Sequence, residues 1–209
     1  MKARILVISI LFSLFALIPV VAQDKPDAVY LFKVGKYEDA VTVCLQEIQE
    51  TPQNIESHVV LGWSYLKLKK YQEALDAGRK VLKFSRYDQR GSQIVGEALV
   101  FLGQVEEALK YLGEYVTISP TGERIGRVYW LMGECYILLR EYQNADIAFS
   151  TAVYHEQNRA DWWARLGYAR EMAGDNDWSL KAYDKALALD GNLTDAQRGK
   201  ERVGKKQPG

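Results

Sequence analysis

Between Val60 and Leu75 the chain reads "VLGWSYLKLKKYQEAL". Gly62 stands beside the large apolar ring of Trp63, and Ala74 follows twelve residues after the glycine. The same pairing of a small residue with a later alanine recurs, Gly96 with Ala108 and Gly133 with Ala145. From Gly62 to Gly96 the step is 34 residues, and from Gly133 to Gly167 it is 34 again. Self-similarity at a fixed period of this length marks stacked supersecondary units that each need a neighbour to bury their apolar face.

With that period the chain divides into 21–54, 55–88, 89–122, 126–159 and 160–193, with Glu123, Arg124 and Ile125 left over after the third unit. Two helices cross closely only where their contact residues are small, so Gly or Ala recurs at positions 8, 20 and 27 of a unit while bulky residues fill the space around them. The fourth unit supplies Tyr129, Met132, Gly133, Tyr136, Ala145, Phe149 and Ala152. The second gives His58, Leu61, Gly62, Tyr65 and Ala74, and the fifth Trp163, Leu166, Gly167, Tyr183 and Ala186. On these residues the chain resembles the tetratricopeptide repeat (TPR) family, over about 170 residues. Ser92, Leu99, Arg170 and Ser179 depart from the pattern. The resemblance implies an all-α, right-handed superhelical solenoid of about five helix-turn-helix repeats with a short C-terminal capping helix.

Turn signals fall between the two helices of each unit at Gly35-Lys36, Leu68-Lys69-Lys70, Gly103-Gln104, Arg140-Glu141 and Gly174-Asp175. Pro52 and Pro120 close two units, because proline cannot continue a helix interior. The three extra residues either add a turn to the following helix or lengthen the loop before it. Residues 194–209 form the cap and a basic tail; Gly191, Gly199 and Gly204 weaken that cap, so the last repeat is expected to keep some apolar surface for self-association.

The full chain has 209 residues, 48% hydrophobic and 26% charged, enough to bury a real core. Its first residues break that average. Lys2 and Arg4 precede the uncharged run "ILVISILFSLFALIPVVA" at 5–22, which reads as a secretory signal cut after Ala22, leaving a repeat domain at 23–193. A retained signal anchor in the inner membrane is the alternative, since the run approaches the roughly 20 residues that span a bilayer. Without residues 1–22 the balance is 25 basic against 27 acidic residues, so no nucleic-acid footprint is expected and, once the signal is cut, no stable membrane insertion.

In the family it resembles, the first helix of each pair lines a concave face, with positions 2, 5, 9 and 12 turned into the groove. That inference places Phe32, Trp63, Leu66, Glu97, Trp130, Glu134 and Tyr168 there, with Arg90 and Arg127 at one rim. The aromatic and apolar members suit hydrophobic side chains of a partner, each worth roughly 1.5–3 kcal/mol when buried. Arg90 and Arg127 are available for a carboxylate by forked hydrogen bonds. Set against this is pairing of the two arginines with Glu97 and Glu134, which lie two turns on along the same helices and so must be reached from adjacent ones. The groove holds a partner segment, is filled by a tail or second copy of the chain, or is plain packing. The Lys/Asn arrangement of the chaperone-docking members of the family is absent, with Val29 where Asn is required.

Nothing in the sequence looks catalytic. His58 falls on a core slot and His155 near the end of a second helix, while Cys44 and Cys135 occupy packing positions too far apart for a disulfide. No metal-ligand spacing, phosphate loop or cofactor motif is present. The expectation is therefore an exported, periplasmic, non-enzymatic adaptor binding a protein or peptide, with no cofactor. Its alternatives are a self-assembling structural module or a carrier of a small hydrophobic ligand.

Overall fold

The computed structural model describes residues 27–205. The apolar run at 5–22, and with it the signal reading, lies outside the described residues. Among those described there are eleven helices and no strand. Five hairpins follow one another: α1 (Ala28–Lys33) with α2 (Tyr37–Glu50), α3 (Ile55–Lys67) with α4 (Tyr71–Phe84), α5 (Gln89–Phe101) with α6 (Val105–Ile118), α7 (Ile125–Leu138) with α8 (Tyr142–His155), and α9 (Ala160–Ala173) with α10 (Asn176–Leu189). A single helix, α11 (Thr194–Gly204), ends the stack. Each helix packs on its chain neighbours, and alternate first helices also meet, α1 on α3, α3 on α5 and α5 on α7. This is a solenoid, in which long-range order is built from nearest-neighbour contacts.

Local chemistry sets the helix ends. The side chain of Asp27 accepts from the Val29 N–H, that of Asn54 from Ser57, that of Asp88 from Arg90 and that of Asp175 from Trp178, each satisfying a free donor of the first turn. At the other end of the first helices the chain reverses through a left-handed residue at the same repeat position five times: Gly35, Lys69, Gly103, Arg140 and Gly174. Three of the five are glycine, which takes that conformation freely; Lys69 and Arg140 hold it at φ 58° and 60° against the clash of their own Cβ. Lys69→Gly and Arg140→Gly are each expected to stabilise the fold by about 0.5–1 kcal/mol, seen as a raised urea midpoint at unchanged slope.

The small residue at position 8 makes one interlock with position 24 of the same unit. A Cβ on Gly96 would lie 2.7 Å from Leu112, one on Gly133 2.6 Å from Phe149, and one on Gly167 2.7 Å from Tyr183. The second unit solves the problem differently. Its position 24 is also glycine, Gly78, and Ile94 of the next unit enters the gap, 2.9 Å from the Cβ sites of both Gly62 and Gly78.

The leftover residues Glu123, Arg124 and Ile125 are shared between loop and helix. Ile125 becomes the buried first residue of α7, and the connection from α6 lengthens to 119–124. At the C-terminus the expected weakness of α11 is corrected. Gly199 is required there, because a Cβ on it would overlap the Tyr183 ring. Ala196 and Val203 are buried beside it, and Arg202 forks onto Glu171 of α9 at 3.0 and 2.8 Å, so the cap does cover the last repeat.

Candidate functional site

Trp63 faces outward from its own unit. Its indole N–H donates to Gln93 Oε1 of α5 at 2.8 Å, its ring centroid lies 5.9 Å from that of Phe32 on α1, and the Arg124 guanidinium sits over its face at 4.5 Å. With Phe32, Leu66, Glu97 and Arg127 it lines a cavity of about 520 Å³ that spans α1, α3, α5 and α7. Five of the expected groove residues are therefore brought together here.

The floor of this cavity is a polar chain crossing three first helices. Gln93, fully buried, accepts from Trp63 and donates through Nε2 to Glu97 Oε2 at 2.6 Å; Arg127 Nη2 donates to Glu97 Oε1, also at 2.6 Å. Glu97 is only 8% exposed, so its charge depends on these donors. Arg127 in turn lies over the Trp130 ring at 4.5 Å, and Trp130 stacks on Trp162 with centroids 6.1 Å apart.

A second cavity, about 400 Å³, holds Trp130 and Tyr168 together with Arg165, Leu193, Arg198 and Arg202. The expected anchors are thus divided between two cavities along the inner face. Glu134 lines neither cavity; Arg165 forks onto it at 2.6 and 2.7 Å. Arg90 is also outside both. Asp88 at 2.8 and 3.0 Å, and Glu56 at 2.7 and 2.8 Å, enclose its guanidinium and hold its pKa above the ordinary arginine value. The reading of Arg90 as a free receptor for a carboxylate is corrected accordingly, because intramolecular carboxylates from its own helix cap and from α3 already use its fork.

Two further sequence expectations change. Position 5 is split: Val59 and Gln93 are buried between alternate first helices, whereas Trp130 and Ala164 line the second cavity. In the fifth unit the core indole is that of Trp162, completely buried, whereas Trp163 is half-buried and donates to the Gln157 carbonyl at 2.9 Å. Residues that sequence reasoning missed are Arg124, Arg159, Lys67, Lys69, Tyr71 and Phe101, all on the larger cavity. They sit at helix ends and turns, where a helix-face periodicity gives no signal.

His58 is buried, with Nε2 3.0 Å from the Pro52 carbonyl, and His155 is exposed. Burial pushes the thiols of Cys44 and Cys135 up to about 12. Below pH 9 both folded and unfolded chains keep these protons; between about 9 and about 12 the unfolded chain releases them and the native one does not. Stability is therefore expected to fall with rising pH in that window, by about 1.4 kcal/mol per unit for each thiol. Chemical denaturation at stepped alkaline pH measures it, and Cys44→Ala/Cys135→Ala should flatten the slope. Among the described residues no group of three or more His, Cys, Asp or Glu is placed to hold a metal, and no helix is long and apolar enough to cross a membrane.

Paired helices of this spacing, interlocked through one small residue per unit, are the architecture of a TPR-type repeat protein, and comparison with known proteins agrees. The model of the family "Anaphase-promoting complex, cyclosome, subunit 3" matches residues 22–81. The chain is similar to the solved TPR protein TTC0263 of Thermus thermophilus (24% identity, 84% of this chain and 94% of that one, TM-score 0.62). It is also similar to MamA (18%, 81% and 97%, TM-score 0.68) and to YrrB, described as a TPR protein with an unusual peptide-binding site (21%, 83% and 88%, TM-score 0.67). Likeness at these identities establishes the fold alone. In sequence it is 24% identical over 146 residues to the general transcriptional corepressor trfA of Dictyostelium discoideum, covering 69% of this chain and only 10% of that protein.

Proposed function

We propose that this chain is a non-enzymatic adaptor of the cell envelope that holds a segment of a partner protein along its inner face. The observation that carries this reading is the larger cavity, which the half-buried side chains of Phe32, Trp63 and Leu66 line with apolar surface. The second cavity, with Trp130 and Tyr168, continues the same face toward α11. Placement in the envelope rests on Lys2, Arg4 and the apolar run that follows them. The description of YrrB as having a peptide-binding site adds support by analogy of fold.

The test is affinity capture from an envelope extract by wild type and by a Phe32→Ala/Leu66→Ala variant. Both residues are partly exposed, so the variant should keep its helical content by circular dichroism while losing at least one specific band. Identical captures from a folded variant count against the groove. A closed oligomer in light scattering, with Trp63 fluorescence shielded between subunits, favours self-assembly instead.

A further inference from the structure

The three residues that break the repeat period supply the groove with a cation. The connection 119–124 is two residues longer than the four-residue connections that precede α3, α5 and α9. With it, Arg124 lies at the N-cap of α7, its backbone N–H donating to the Tyr115 hydroxyl at 3.3 Å, and its guanidinium rests on Trp63 at 4.5 Å. Among the described residues no carboxylate pairs with it. A guanidinium held over an indole face keeps its N–H groups available to an acceptor, and Arg124 lines the cavity.

Charge around it is one-sided. The cavity lining carries Lys67, Lys69, Arg124, Arg127 and Arg159 against Glu97 as its one carboxylate. Glu97 is already used by Gln93 and Arg127, and Arg159 is held in part by Asp161 at 2.8 Å. Lys67 and Lys69 are exposed and, among the described residues, without an ion-pair partner. Next to these cations lie Phe32, Trp63 and Leu66. The lining is the complement of a segment in which acidic side chains flank a bulky apolar one.

We propose that the larger cavity selects an acidic-apolar protein segment and that Arg124, delivered by the period-breaking insertion, is the residue that reads the acid. The inference rests on the adaptor reading and adds the chemistry of the partner. Trp63 positions the guanidinium, the apolar wall takes the bulky side chain, and Lys67 at the end of α3 and Lys69 in the turn after it draw in the second acid.

Three dye-labelled peptides, identical except for a central Glu-Phe-Glu, Gln-Phe-Gln or Lys-Phe-Lys, are titrated with the full chain by fluorescence anisotropy. The acidic peptide is expected to bind about ten-fold more tightly than the Gln peptide, with the preference shrinking as salt is raised. Arg124→Gln should lower the acidic peptide to the level of the Gln peptide and leave the latter unchanged; Arg124→Lys should keep part of the preference. Since the Arg124 side chain has no hydrogen bond or ion pair among the described residues, these variants should melt with wild type. Equal affinity for acidic and Gln peptides overturns the proposal, as does no binding of the acidic peptide, or a preference that survives Arg124→Gln. If the acidic and Gln peptides bind equally and both are lost in Phe32→Ala/Leu66→Ala, the groove stands and only the acid reading fails.

Discussion

Tyr183→Ala is expected to remove about 4 kcal/mol from the C-terminal end of the solenoid, the range for deleting a large buried aromatic. Tyr183 is fully buried between the bare backbones of Gly167 and Gly199, so its ring ties α9 and α11 to α10 in one contact. Neither glycine can fill the space it leaves. Its hydroxyl also donates to Glu171 at 2.9 Å, a bond that the substitution removes while Arg202 keeps hold of the same carboxylate. In a solenoid the damage stays local, because each unit depends on its neighbours only. Hydrogen exchange should therefore show α9, α10 and α11 losing protection while α3 to α6 keep theirs, and urea unfolding should split into two steps. A loss spread evenly over all helices, or one below about 1 kcal/mol, would contradict the interlock.

Arg127→Ala should cost about 3 kcal/mol, at the low end for breaking a buried ion pair because the Arg127 side chain is 29% exposed. The loss comes from Glu97, left with a buried charge and only Gln93 as donor. If that is the cause, neutralising the acid must recover much of it. Arg127→Ala/Glu97→Gln is expected to regain about 2 kcal/mol relative to Arg127→Ala alone. Strictly additive effects in the four-member cycle would mean that the pair does not act as a unit. The result bears on function, since Arg127 spent in the floor of the groove is not free to orient a ligand, whereas Arg124 is.

The interlock residues show how much of this was readable beforehand. Gly62, Gly96, Gly133 and Gly167 announced themselves by spacing, because close helix crossing leaves few residue types at the contact. Leu112, Phe149 and Tyr183 could be paired with them on the same register. Ile94 could not, since it compensates for Gly78 from the neighbouring unit, and a pattern within one unit does not contain that exchange. Gly199 misled for a related reason. As a free helix residue glycine is a weakness, and only the Tyr183 ring lying against it makes it a requirement.

The groove divides in the same way. Phe32, Trp63, Leu66, Glu97 and Arg127 fall at predictable faces and do meet in one cavity, because helix periodicity fixes the direction of a side chain. Which charges remain available is a different kind of fact. Among the described residues Arg90 is enclosed by Asp88 and Glu56, Glu134 by Arg165, and Arg124 by none, yet all three positions look equally free in the sequence.

By itself, then, the sequence determined the number and stacking of the helical hairpins and the faces they present, since repeated small residues constrain backbone approach wherever they occur. Only the tertiary structure decided which partner each charge takes and that three surplus residues carry Arg124 onto Trp63. Ion pairing and ring stacking are settled by distances between units, and a loop of given length reaches a neighbouring helix or misses it according to how the units pack.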